Sequence, residues 1–356
     1  GGNDGRPYSF GRPSSGGSKA AYPCKSYGQG RINPAYFYGV FDPNDMRRDV
    51  SITMTGSNGK GVEKLIPFVP NSKAEGGGLT LNKWDENRQA NPWVAAQRKS
   101  GINGPYMRMS EVYLGYAEVC AALGDVVTGK QYLKTVRERS FPQGLANTDA
   151  FIASFGNDLV RAIIEERGFE YAGEGDRRWT LIRSGYLPED IKRIKDMTKA
   201  MMDGLATKGY YEFENGNIIS AYIWTKLVDA KTIYGHRLTA QCPTDKVNDP
   251  VLYPGWRGQK DNWEEMGLNY GSSTPATNLA IKGLFEIVSE EEAASLESQG
   301  YTKVNWGIDL VDNRDEYDKY LFWDYDYVSA PIYLWPFTPN VMAAGGFTNG
   351  YGFKQE

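Results

Sequence analysis

Residues 106–205 carry one amphipathic helical pattern after another, between two regions broken up by Gly, Pro, Ser and Asn. No other feature limits the fold as much. In PYMRMSEVYLGYAEVCAALGD, which begins at Pro105, the apolar positions Met109, Val112, Tyr113, Tyr116, Ala117 and Cys120 recur at the spacing of one helix face. Pro105 or Ser110 marks the start, and Gly124 is placed to end the helix in a left-handed turn. A second helix is predicted over about Thr128–Arg139, with Tyr132, Leu133 and Val136 inward. A third follows Asp158, a good N-cap, and carries Val160, Ile163, Ile164 and Tyr171. After Gly173–Gly175 a short fourth carries Trp179, Leu181 and Ile182, and Pro188 opens a fifth that reaches about Met202. Successive antiparallel pairs of this length predict a mainly α fold of tetratricopeptide-like stacked helix hairpins.

The flanks read differently. Residues 1–105 are loop-rich, with short β-like pieces at Val50–Met54 and Leu65–Phe68. Residues 206–356 return to loop, with one exposed helix predicted at 289–300 and Ser289 as its N-cap. The tail from Tyr320 holds too many Gly and Pro for a long helix, and is expected to pack as an extended closing strap.

Composition removes several functions. Net charge is −4 with acids and bases interspersed, so no basic stripe invites nucleic acid. No apolar run of roughly 18 residues is present to span a bilayer. Three cysteines without a CxxC pair argue against a metal–thiolate site. Cys120 lies on a helix face as a small hydrophobe, while Cys24 and Cys242 are left either free or bridged. A single histidine, His236, argues against His-dependent triads and multi-His metal sites, so neither a metal nor a cofactor is expected.

The stretch Glu166–Arg183, ERGFEYAGEGDRRWTLIR, poses the central question. Its four acids and four arginines are either a catalytic carboxylate cluster or ionic scaffolding at a helix corner. Glu166 and Glu170 fall at i, i+4 on one face, and Arg177, Arg178 and Arg183 return from the next helix. Arginine forks grip carboxylates bidentately and fix the angle between helices. A glycosidase needs two carboxylates held apart across a groove, whereas here each acid has an arginine close in sequence. The scaffold reading is favoured. DPNDMRRD (42–49) lacks the alternating oxygens of a calcium loop and reads as a turn.

The surplus is aromatic: 24 Tyr and 9 Trp. A sugar ring stacks its C–H face on Tyr or Trp while its hydroxyls seek Asn, Asp or Arg. Loops rich in both kinds of group make Tyr22, Tyr27, Arg31, Asn33, Trp84, Trp256 and Trp263 the candidate ligand-binding residues. No catalytic residue is assigned.

Four landmarks then resemble, in order, the carboxy-terminal half of the SusD/RagB family of nutrient-binding outer-membrane lipoproteins. FDPNDMRR (41–48) looks like the family's Asp-Pro-x-Asp-x-Arg turn, and YMRMSEVYLGYAEVCAALGD (106–125) like its Arg-x-x-Glu-x-x-Leu-x-x-Ala-Glu helix. IIEERGFEYAGEGDRRWTLIR (163–183) is similar to its most diagnostic segment, and LWPFTPNVMAAGGFTNGYGF (334–353) to its closing strap. Thr180 stands where the family usually has Asp, and Trp335-Pro-Phe where it has Pro-Ile-Pro. The resemblance implies that the three regions form one domain, and that the family's amino-terminal helical half and lipidated cysteine lie outside this chain. It implies a non-catalytic protein of the outer-membrane surface. Such a protein captures polysaccharide or oligosaccharide for a SusC-like, TonB-dependent transporter. Peptide capture, as in the RagB branch, is the runner-up, and an α-helical glycoside hydrolase the third reading.

Overall fold

The computed structural model describes residues 32–57, 63–65, 79–81, 83–84, 105–141, 144–229, 277–312, 314, 338–346 and 348. The chain enters through a π-helical turn, Tyr36–Val40, and the short helix α1, Met46–Ser51, which is N-capped by Asp45. Small antiparallel ladders follow: β1 (Ile52–Thr53) pairs with β4 (Thr80–Leu81), and β2 (Thr55–Ser57) with β3 (Glu63–Leu65).

The helical block is α2 (Met109–Ala122), α3 (Val126–Glu138), α4 (Thr148–Ala153), α5 (Leu159–Glu170), α6 (Asp176–Ser184) and α7 (Leu187–Lys208). The predicted punctuation is where local chemistry puts it. Gly124 sits at φ 86°, and the Asp158 side chain accepts from Arg161 N at 3.0 Å. The last helix runs six residues past the expected end, until Gly209 takes φ 76°.

Leu133, Val136, Ile163 and Ile164 are buried as expected, while on α2 the buried face corrects part of the sequence reading. On α2, Ser110, Leu114, Ala117 and Cys120 are buried, whereas Met109, Val112 and Tyr116 are about half or more exposed. This helix carries two apolar stripes, and the one with small residues won. At Gly129 of α3 a Cβ would stand 3.0 Å from the Ala117 carbonyl, so the two backbones approach where a Met or Tyr stripe would hold them apart. On α6 Trp179 is 52% exposed, and the helix packs through Leu181.

Strands appear where loop was expected. β5 (Tyr210–Glu212) and β6 (Ile218–Ser220) form a hairpin with Tyr210 opposite Ser220. β7 (Tyr222–Asp229) is the central strand of an antiparallel sheet between β8 (Thr277–Lys282) and β9 (Thr302–Asn305). Between the last two lies α8 (Glu290–Ser298), where Ser289 and Glu292 cap each other reciprocally. The short helices α9 (Gly307–Asp312) and α10 (Pro339–Gly345) complete the described elements, α10 taking one turn out of the expected extended tail.

Among the described residues, buried apolar side chains form three clusters. One joins Phe37, Phe41 and Phe169 to Met201 and the sheet residues Ile223 and Ile281. Another lies inside α2, α3, α4 and α5 around Leu114, Leu133 and Ile163. The third, Ile164, Leu181 and Leu187, ties α5 to α6 and α7. Phe151 packs against the first two. α5 is therefore wrapped on nearly every side: of its twelve residues only Val160 is not buried.

Candidate functional site

A helix buried all round yet carrying Arg161, Glu165, Glu166, Arg167 and Glu170 has to pair those charges, because an isolated ion in a low-dielectric interior is prohibitively costly. Glu166, 0% exposed, lies between Arg47 Nη1 at 2.7 Å and Arg137 Nη1 at 3.0 Å. Glu170 meets Arg47 at 3.0 Å, Arg108 at 2.6 Å and also Arg139. Burial alone would raise its pKa, but the guanidinium charges of Arg47, Arg139 and Arg108 outweigh that and hold it at about 2. Glu174 is gripped by Arg108 and Lys83.

A second knot lies on the opposite side of α5. Glu165 pairs with Arg177 at 2.8 Å and Arg193 at 3.3 Å, and the same two arginines hold Asp190 at 3.0 and 2.7 Å. Burial opposes ionisation of Asp190, yet Arg177 and Arg193 bring its pKa below the usual carboxylate value. Asp176 binds Arg167 at 2.5 Å. Thr180 donates to Asp176 at 2.9 Å and accepts from Arg167 Nε at 3.2 Å. So each acid of Glu166–Arg183 has a cationic partner, and no two of them stand apart across a groove. Among the described residues no group of three His, Cys, Asp or Glu could hold a metal ion.

The predicted ligand residues fall unevenly. Tyr22, Tyr27, Arg31, Trp256 and Trp263 lie outside the described residues, as do Cys24, Cys242 and His236. Asn33 is half-buried and its amide is engaged at both ends: Nδ2 donates to Thr198 Oγ1 at 2.8 Å, and Oδ1 accepts from Ala35 N at 2.8 Å. Trp84 is 9% exposed and packs as part of the interior.

The structure adds a cleft the sequence did not announce. It encloses about 470 Å³ between the Asp42–Pro43 turn, the Leu145–Phe155 segment and the β5–β6 turn. Asp42 Oδ1 accepts from Asn44 N at 2.8 Å, which fixes the turn and leaves Oδ2 facing Arg137 Nη2 at 3.9 Å. Arg137 spends Nε on the Ala146 carbonyl and lies over Phe151 at 3.9 Å and Phe141 at 4.6 Å. Asn147, at φ 33°, caps α4 by accepting from Ala150 N. On the far wall Asn217 Nδ2 donates to the carbonyls of Tyr38, Gly39 and Phe41, and Asn215 Nδ2 to Gly39 O, tying the hairpin to the π-helical turn. One signal could have found this wall: Asn215-Gly216 between two apolar pieces is a strong hairpin cue.

Fold and site together define a mainly helical scaffold clamped by buried ion pairs, with a mixed polar and aromatic cleft at its edge. A family model described as the SusD family matches residues 3–336, and the chain belongs to that family. SusD-like protein P25 of Formosa agariphila is similar to it, at 28% identity over 160 residues, 45% of this chain and 26% of the relative. The matched stretch thus spans about a quarter of that relative's length. No solved structure matches the chain.

Proposed function

We propose that this chain belongs to a non-catalytic glycan-binding protein of the outer-membrane surface, one that captures polysaccharide or oligosaccharide for a partner TonB-dependent transporter. The observation that carries the reading is membership of the SusD family over residues 3–336. The charged corner supports its non-catalytic half. Glycoside hydrolysis by paired carboxylates needs an acid kept protonated near neutral pH, and Glu170 is driven the other way, to about 2. The lipid anchor, the surface location and the transporter come with the resemblance to the family and belong to the reading as expectations.

Native electrophoresis through gels containing a panel of polysaccharides tests the proposal. Retardation by at least one polymer, with no release of reducing sugar on long incubation, is the expected result. Calorimetry with mixed oligopeptides provides the contrast: heat from peptides with no retardation by any glycan would transfer the reading to peptide capture. Sustained turnover abolished by Glu166→Gln would replace it with hydrolysis.

A further inference from the structure

The cleft beside Asp42 has a composition that selects a ligand. Among the described residues its charged groups balance, with Asp42 and Glu165 against Arg137 and Arg193, so a ligand with net charge would enter against one unmatched partner. Its floor holds an acceptor and a donor that miss each other: 3.9 Å between Asp42 Oδ2 and Arg137 Nη2 is too long for a hydrogen bond. One oxygen placed about 2.8 Å from both would accept from Arg137 and donate to Asp42. A group that is donor and acceptor at once satisfies both, and a neutral sugar ring presents such groups as hydroxyls.

The walls supply the other half of the match. Phe151 and Phe155 stand edge to face at 5.2 Å and line the cleft, offering carbon surface to a C–H face. The volume of about 470 Å³ falls within the roughly 300–1,000 Å³ usual for small-molecule sites. Arg137 cannot swing away to relieve the mismatch, since Ala146 O, Glu166 and two phenyl rings hold it and it is 3% exposed. The gap is therefore fixed by the fold.

We infer that this cleft is a binding subsite for one neutral, hydroxyl-bearing sugar ring, with Asp42 and Arg137 bracketing a single hydroxyl and Phe151 and Phe155 contacting the ring's apolar face. Neither Asn33 nor Trp84, the two described residues among the sequence's ligand candidates, lines it. The inference rests on the glycan-binding reading for its ligand class, and its test stands apart from the polysaccharide gels.

The probes are the methyl glycosides of glucose, galactose and mannose, with methyl glucuronoside as the charged counterpart, followed by saturation-transfer NMR against the whole chain. Two variants report on the cleft. Asp42→Asn keeps an oxygen for Asn44 but turns a second donor toward Arg137, and Ala150→Trp fills the opening from an exposed helix position that makes no side-chain hydrogen bond. The expected result is saturation by at least one neutral glycoside, about tenfold weaker binding in Asp42→Asn and none in Ala150→Trp, with thermal midpoints unchanged. Neutral glycosides that bind both variants as they bind the parent overturn the subsite while leaving polysaccharide capture intact. So does a parent chain that ignores all three neutral probes, or one that prefers the glucuronoside. Loss in Ala150→Trp alone, with Asp42→Asn unaffected, overturns the hydroxyl bracket.

Discussion

Gly168 and Tyr36 are packed so closely that a Cβ at position 168 would lie 2.5 Å from the Tyr36 hydroxyl oxygen and 2.6 Å from Arg177 Nη1. The bare backbone of α5 at that point is what lets a phenol and a guanidinium pass over it. Burial pushes the Tyr36 hydroxyl above its ordinary pKa, so it is a neutral, space-filling group there. Arg177 in turn is held by Glu165 and Asp190 and cannot retreat without abandoning both.

Gly168→Ala is therefore expected to destabilise the chain by about 2 kcal/mol, even though alanine favours a helix over glycine. Urea unfolding measures it. A neutral or stabilising result would mean that the Tyr36 ring and Arg177 shift together at little cost.

Thr180→Val removes a hydroxyl with nearly no change of shape. It takes an acceptor from buried Arg167 Nε and a donor from Asp176, while the Arg167–Asp176 pair persists. A loss of about 1–2 kcal/mol is expected by thermal unfolding. Stability equal to the parent would show that the hydroxyl is not a working member of this knot.

What could be read from the sequence follows from how local each signal is. Asp158, Gly124 and Ser289 act on the backbone within a few residues, and each caps or stops a helix where its neighbours said it would. That the acids of Glu166–Arg183 would be paired was legible, and Asp176 finds Arg167 within that stretch, but Arg177 and Arg183 go to Glu165, Asp190 and Glu118 instead. The reach of Arg47 to Glu166 and Glu170 depends on a tertiary contact across more than a hundred residues, and no spacing rule reports that. The buried face of α2 was read only in part. Ala117 and Cys120 of the expected stripe are buried, but periodicity could not tell Leu114 from Met109, Val112 and Tyr116 as their companion; the close approach at Gly129 did. Arg137 stands in the last turn of α3, and partners distant from that turn draw it inward: Ala146 O, Glu166 and the rings of Phe141 and Phe151. The cleft was invisible for the same reason.

Arg183 and Glu118 offer a contrast with the buried pairs. Both guanidinium nitrogens of Arg183 bond Glu118, but the arginine side chain is 47% exposed. Solvent screens such a pair, and Arg183→Ala is expected to cost less than about 1 kcal/mol. A loss several times larger, measured under the same urea conditions as Gly168→Ala, would show that this bridge sets the α2–α6 geometry.

Glu170 is where the scaffold is most exposed to acid. Its folded pKa of about 2 lies below the reference value of 4.5, so the folded state favours the ionised form. The sign follows: the contribution is fully present above about pH 4.5 and is lost as pH falls toward 2. Its size is on the order of 3 kcal/mol. Asp190, shifted in the same direction by Arg177 and Arg193, adds to the loss over the acid range. Glu170→Gln removes the anion that Arg47, Arg108 and Arg139 share and leaves the mostly covered Arg47 with fewer counter-charges. At pH 7 that substitution is expected to cost about 3–5 kcal/mol. Urea midpoints from pH 7 down to 2 then distinguish charge from packing. If the charge is what matters, the parent loses stability below about pH 4.5 and the Gln variant, already weakened, shows a flatter profile. Parallel curves for the two proteins would mean that the acid sensitivity arises at other carboxylates.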